Sequence, residues 1–308
     1  MANTSGASHA STWAIATVFV WATLAPLGVS VQHLPPFFIT GCGLIVGGLL
    51  AVPTLIRSGH WRIAPGTAAL GIYGLFGYHA LLFAALQWAP PTAANLVNYL
   101  WPMGIVVMAP LFVANLTFTW GHALAAVVGF AGSALAIVGN HALEWPDARA
   151  MTGYGFAFAG AIIWSTYSLL SKRRSHVPTA SIGAMCLLAG SLSLLMHVWL
   201  EPSVSPTLRD WGLLALLGLG PVGGSFFMWD KALKSGDARQ AGLWAFFTPV
   251  MSTALLALQS GTALSANIAI ATVLIVASAV IGRWAGHKAG DTAHAPAAAQ
   301  HRPNSFNE

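Results

Sequence analysis

The chain has 308 residues, 56% of them hydrophobic and only 7% Asp, Glu, Lys or Arg. Soluble globular proteins carry about 25% charged residues, and a charge content this low cannot cover the surface of a soluble fold of this length. With a mean hydropathy of +0.69, the composition excludes a soluble enzyme, a nucleic-acid-binding module and a disordered scaffold. It implies a polytopic membrane protein.

A bilayer core about 30 Å thick needs roughly 20 apolar residues per helix. Read between clusters of charge, Pro and Gly, the chain gives ten such runs. They lie at about 12–31, 36–56, 67–88, 92–113, 120–140, 152–171, 179–200, 208–230, 238–258 and 264–285. No Lys or Arg precedes the first run, and it is longer than a signal-peptide core, so it reads as a retained helix. Residues 286–308, rich in Ala, His and Pro, read as a disordered cytoplasmic tail.

The net charge of +5 marks cytoplasmic loops in such a chain rather than a nucleic-acid partner. With the N-terminus cytoplasmic, 11 of 13 basic residues fall inside, among them Arg57, Arg62, Lys172, Arg173, Arg174, Lys231, Lys234 and Arg239. Only Arg149 and Arg209 fall outside, which places both termini in the cytoplasm of a bacterial inner membrane. Cys42 and Cys186 sit in apolar runs without metal-ligand spacing and read as free thiols. No metal or other cofactor is implied.

The two halves resemble each other. Ala85-Leu86 and Pro102 recur 147 residues later as Ala232-Leu233 and Pro249, and Gly71 and Gly77 recur as Gly218 and Gly224. At an offset of 143, Trp21 matches Trp164 and Pro35 matches Pro178. The halves are taken as 12–140 and 152–285. Five spans per half is an odd number, so the second half enters the membrane inverted. Inverted repeats are a transporter architecture, with the substrate site at the repeat interface near the midplane.

Two five-helix halves with a Pro in the fourth and ninth spans resemble the EamA branch of the drug/metabolite transporter superfamily. The run Asn95-Leu96-Val97-Asn98-Tyr99-Leu100-Trp101-Pro102 is similar to that of the YddG-type aromatic amino acid exporters. The resemblance implies export of Phe, Tyr, Trp and similar compounds, through a cavity among helices 1, 3, 4, 6, 8 and 9.

The residues themselves nominate a site. Asn95, Asn98, Tyr99 and Pro102 follow helical spacing and are expected on one face of the fourth span. The Asn amides would bind an amino acid's charged ends, or only join helices. Tyr99 and Trp101 offer aromatic faces. Tyr78-His79 sits near mid-membrane after three glycines, and His79 is either a proton carrier, a substrate hydrogen-bonder, or a neutral ring satisfied by a carbonyl. Trp21 and Trp164 lie too deep for the interfacial belt formed by Trp13, Trp61, Trp88, Trp120, Trp145 and Trp284. Trp244, Phe246 and Phe247 on the ninth span, with Tyr167 and Ser225, are weaker candidates. Pro221 in a Gly-rich stretch, with Pro102 and Pro249, marks bending points, as hinges or static kinks.

All eight acids are expected in loops, tails or helix ends, so no buried carboxylate suggests ion coupling, and facilitated diffusion by alternating access is the favoured mechanism. No Walker motif, HExxH or GxSxG is present, so an enzyme is not expected. A broader metabolite or cationic-drug exporter is the alternative within the class. A non-saturable pore or scramblase is the alternative outside it. A monomer that takes a small amino acid and has the bilayer as its surroundings completes the expectation.

Overall fold

A computed structural model describes residues 4–58, 63–114, 116–139 and 145–293, the backbone alone for 4–8 and 287–293. Trp61, Arg62, Glu144 and the tail beyond 293 lie outside the described residues. All described elements are helical. In chain order they are α1 (Thr4–Ala22), α2 (Leu24–Ser30), α3 (Pro36–Leu49), α4 (Val52–Ser58), α5 (Pro65–Gly71), a π-helical segment (Ile72–Gly77) and α6 (Tyr78–Trp88). Then come α7 (Pro91–Asn98), α8 (Trp101–Phe112), α9 (Trp120–Val138), α10 (Ala148–Arg173) and α11 (Ser181–Leu200). The last are α12 (Leu208–Leu219), α13 (Gly224–Ser235), α14 (Ala238–Ala245), α15 (Phe247–Ser260) and α16 (Ala266–Ala293).

Among the described residues, eight helical segments are long and apolar enough to cross a membrane, and nine if α3 and α4, bent by 44° to each other, form one span. The expected sixth span falls in α10, a 26-residue helix about 39 Å long at 1.5 Å per residue. Its Gly, Ser, Thr and Tyr content and terminal basic residues make it less apolar than the others. The helix α16 runs on to Ala293, so the expected tail boundary at 285 falls inside a helix.

Prolines explain most of the interruptions, because each removes the N–H that would bond the carbonyl four residues earlier. Pro26 frees the Ala22 carbonyl at the α1–α2 break, and the Ser252 hydroxyl of α15 donates to that oxygen at 3.1 Å. Pro102 follows the α7–α8 break at Tyr99-Leu100, and Pro249 follows the α14–α15 break at Phe246. Pro221 lies in the turn between α12 and α13, where the Leu217 carbonyl accepts from the Val222 N–H at 2.8 Å instead. Pro36, Pro65 and Pro91 open α3, α5 and α7, where a missing N–H costs nothing.

Packing uses small residues, as expected where lipid removes the hydrophobic drive between helices. The helix α3 lies along α11, and α9 along α16, as two flanking pairs. Between them α1 packs on α13 and α6 on α10. At one close approach a Cβ added to Gly47 would fall 2.4 Å from the Gly223 Cα. At another, a Cβ on Gly74 would fall 2.1 Å from the Tyr167 ring. Of the glycines in the third span, Gly71 and Gly74 therefore let α11 and α10 approach closely, and the π segment that contains Gly74 leads directly into Tyr78 and His79. The thiols of Cys42 and Cys186 are free.

Candidate functional site

The broken helices leave a cavity of about 1030 Å³ in one half of the bundle, at the upper end of ligand-site volumes of about 300–1,000 Å³. Its walls come from the end of α1, from α2, the start of α3, α6, α7, the α12–α13 turn and α15. Exposed Gln32, Gln87 and Pro91 stand at its mouth. Among the described residues no Asp, Glu, Lys or Arg lines it.

Trp21, Trp101 and Trp164 form its floor, and a fourth indole, Trp229, closes the cluster from beneath. Ring centroids lie 5.7 Å apart for Trp21–Trp101, 6.0 Å for Trp21–Trp164, 5.0 Å for Trp21–Trp229 and 5.8 Å for Trp101–Trp229. Edge-to-face and tilted pairs at such distances are favourable. The Trp229 Nε1–H donates to Ser168 Oγ at 3.1 Å, which fixes its ring. Tyr78 leans on Trp164 with centroids 5.0 Å apart, and Tyr99 stands 6.4 Å from Trp101.

The polar candidates divide. His79 lines the cavity with Nδ1 2.6 Å from the Leu75 carbonyl oxygen. A carbonyl only accepts, so Nδ1 donates, and Nε2 is an acceptor whenever the ring is neutral. Asn98 is buried and its Nδ2 donates to Tyr78 Oη at 3.1 Å, joining α7 to α6, while its Oδ1 has no protein partner. Asn95 lines the cavity one helical turn nearer the mouth.

Residues 9–138 and 151–282 each match the EamA-like transporter family. This chain is a member of the EamA-like transporter family. It is 36% identical to the aromatic amino acid exporter YddG of Ancylobacter novellus over 284 residues, covering 89% of this chain and 96% of that one. The YddG exporter of Salmonella typhimurium is 27% identical over 82% of this chain and 88% of its own length. That of Escherichia coli is 24% identical over 80% and 87%. A solved crystal structure, 36% identical, superposes with a TM-score of 0.86 over 91% of this chain and 99% of its own. The protein is thus a multi-pass membrane transporter rather than an enzyme.

Sequence reasoning placed eight side chains that this EamA chain brings together around one cavity: Trp21, Tyr78, His79, Asn95, Asn98, Tyr99, Trp101 and Trp164. Three of the expected residues stand away from the cavity wall. Trp244 and Phe247 do not line the cavity; they stack on each other at 5.7 Å and pack into the helix bundle instead. Pro102 is buried and not in the wall, whereas Pro221 and Pro249 are. The turn at the α7–α8 break, where the Leu100 N–H bonds the Val97 carbonyl at 3.1 Å, shifts the register so that Trp101 faces the cavity.

Two of the acids differ from expectation in their burial. Asp210 and Asp230 are buried, at 4% and 2% exposure. Asp210 closes a capping box with Thr207 at the start of α12. Asp230 lies beneath the Trp floor, one turn inside α13, bonded to Ser171 Oγ, Thr179 Oγ1 and Lys234 Nζ, each at 2.7 Å. Trp229, Phe226, Thr248 and Ser252 were also missed as site neighbours. The eighth run ends at 230 by hydropathy, so Trp229 looked terminal there, whereas α13 continues to Ser235. Among the described residues no group of three or more His, Cys, Asp or Glu could hold a metal.

Proposed function

We propose that this protein exports aromatic and other hydrophobic amino acids from the cytoplasm by alternating access, as facilitated diffusion. The observation that carries this is the uncharged cavity floored by Trp21, Trp101 and Trp164 and flanked by Tyr78 and Tyr99. A flat side chain can pack on those rings, and a net-neutral zwitterion needs no counter-charge from the wall. Acceptors at His79 Nε2 and hydroxyl donors at Tyr78 and Tyr99 suit the ammonium and carboxylate ends. A sugar phosphate or dicarboxylate would enter without a cation to meet it, at a cost of several kcal/mol. The relatives named as aromatic amino acid exporters support the same substrate class.

With α10 counted as a span, ten spans cross the bilayer, and the basic residues put both termini in the cytoplasm. The cavity then opens outward, and Asp230 lies on the cytoplasmic side of the floor. The two halves rock about the Trp cluster, with Pro221 and Pro249 in the moving walls and Pro102 at the α7–α8 break as bending points. One chain encloses the cavity, so the monomer is the working unit, and the lipid bilayer is its other partner.

Counterflow in proteoliposomes tests the reading. Vesicles preloaded with unlabelled Phe, Trp, Thr or a quaternary amine are offered labelled Phe at fixed pH without an ion gradient. Saturable accumulation driven by Phe and Trp is expected. Equal flux with every preload would indicate a pore, and accumulation driven by the quaternary amine alone would indicate a cationic-drug exporter.

A further inference from the structure

The polar network beneath the Trp floor is tied to the cavity above it by the internal repeat. At the offset of 143, Ser168 and Ser171 of α10 correspond to Ala25 and Gly28 of α2. At the offset of 147, Trp229 and Asp230 of α13 correspond to Leu82 and Phe83 of α6. On the Asp230 side the pairs touch: Trp229 Nε1 meets Ser168 Oγ at 3.1 Å, and Ser171 Oγ meets Asp230 Oδ1 at 2.7 Å. On the other side Ala25, Gly28, Leu82 and Phe83 all line the open cavity, and a Cβ on Gly28 meets nothing within 4 Å. Ser171 and Asp230 therefore border about 10 Å³ of space, whereas their equivalents Gly28 and Phe83 border about 1030 Å³.

The closed side is also the polar side. Besides Asp230, Lys234 Nζ donates to the Val177 carbonyl at 2.8 Å, and Lys172 Nζ to the Gly236 carbonyl at 2.6 Å. These bonds join α10 and the turn after it to the end of α13 and to Gly236, which follows it. Lys231 adds a contact to α1, its ammonium 4.4 Å from the Trp13 ring. At the positions corresponding to Asp230 and Ser171 the cavity side carries Phe83 and Gly28, with no charge and no hydroxyl.

We infer that the Asp230–Lys234–Ser171–Thr179 network, with Lys172 on Gly236, is the closed inner gate, and that Ala25, Gly28, Leu82 and Phe83 close the outer gate when it opens. The inference rests on the carrier reading above. It adds a direction to the resting equilibrium. The Asp230–Lys234 pair lies within α13 and travels with it, so the bias comes from the bonds between elements. Ser171 and Thr179 to Asp230, Lys234 to the Val177 carbonyl and Lys172 to the Gly236 carbonyl hold α10 and the turn after it against α13 in the outward-open conformation and are lost if they part. The empty carrier rests outward-open, and weakening the inner network moves it toward inward-open.

Cysteine chemistry tests this without substrate. The native thiols are removed as Cys42→Ser and Cys186→Ala, and the pair Gly28→Cys/Phe83→Cys is introduced. With the inner network intact, a short dimaleimide links the pair slowly, because the two positions stand across open space. Adding Asp230→Asn with Thr179→Val is expected to raise the linking rate at least tenfold. It should lower labelling of Gly28→Cys alone, by a membrane-impermeant maleimide, by a similar factor. Asp230→Glu, which keeps the carboxylate, should restore most of the original labelling. If Asp230→Asn does not assemble, Lys172→Met releases the Gly236 carbonyl instead and should shift both rates in the same direction. Wild-type linking and labelling rates in a folded network variant would overturn the inference. Because no amino acid enters the assay, failure of Phe counterflow leaves the gate assignment intact, whereas working counterflow with unmoved rates sinks the gate alone.

Discussion

Truncation of Tyr99 and of Trp101 separates recognition from assembly. Tyr99 lines the cavity, is half-buried, and has Trp101 as its aromatic neighbour, 6.4 Å away. Removing its ring leaves the Trp floor in place and takes away one aromatic contact to the substrate, about 0.5–1.5 kcal/mol. Each 1.4 kcal/mol is tenfold, so Tyr99→Ala should raise the KM for Phe about 2- to 12-fold with little loss of thermal stability. Trp101 differs: it is 5% exposed and its ring lies 5.7–6.3 Å from Trp21, Trp164 and Trp229. Truncating a packed aromatic to Ala costs about 3–5 kcal/mol. Trp101→Ala should therefore lower the melting temperature as well as abolish transport. Counterflow of labelled Phe over a concentration series, beside thermal denaturation in detergent, reads both effects. A wild-type KM in folded Tyr99→Ala would remove the α7–α8 break from the binding site.

Three further substitutions probe separate parts of the argument. His79→Gln keeps a donor for the Leu75 carbonyl, so Phe counterflow should persist within about threefold and be flat between pH 6 and 8; a pH-dependent component present in wild type and lost in the variant would make His79 a proton carrier. Trp244→Ala, outside the cavity wall, should leave the KM within about twofold, since an aromatic contact to substrate is worth more than that; a tenfold rise would put α14 into the site. Gly47→Ala places its Cβ 2.4 Å from the Gly223 Cα, which is backbone and cannot yield; monodisperse protein should be lost on gel filtration, and a wild-type profile would refute the close approach of α3 to the α12–α13 turn.

The sequence made the helical architecture and the cavity neighbourhood legible for identifiable reasons. Prolines announce breaks because the missing N–H is written in the chain, and those at 26, 102, 221 and 249 all lie at or beside one. The repeat offset pairs Trp21 with Trp164, and their rings lie 6.0 Å apart. Facing was less legible. Trp244 and Phe247 have the same composition signal as Trp101, but aromatic character does not state which side of a helix meets the bundle and which the cavity. The π-helical segment before Tyr78 leaves no mark in hydropathy, since it changes a hydrogen-bond register and not a residue type. Asp230 was misplaced because its charge ends the apolar run, whereas its three partners hold it inside the helix at 2% exposure.

The absence of charge around the cavity, and the pairing of charge beneath it, also fix how the carrier should respond to voltage. A zwitterion moves no net charge, and Asp230 with Lys234, 2.7 Å apart, moves as a neutral pair if the gate opens. The membrane field does about 2.3 kcal/mol of work on one elementary charge per 100 mV, which is roughly a 45-fold change in an equilibrium ratio. For this protein that work should vanish. In proteoliposomes clamped at +100, 0 and −100 mV by potassium gradients with valinomycin, the steady-state Phe ratio should be 1 at each potential, with initial rates within about twofold. A ratio that follows the potential would mean that a charged species crosses with Phe, or that the cargo is itself a cation, and either result would refute uncoupled export of a zwitterion.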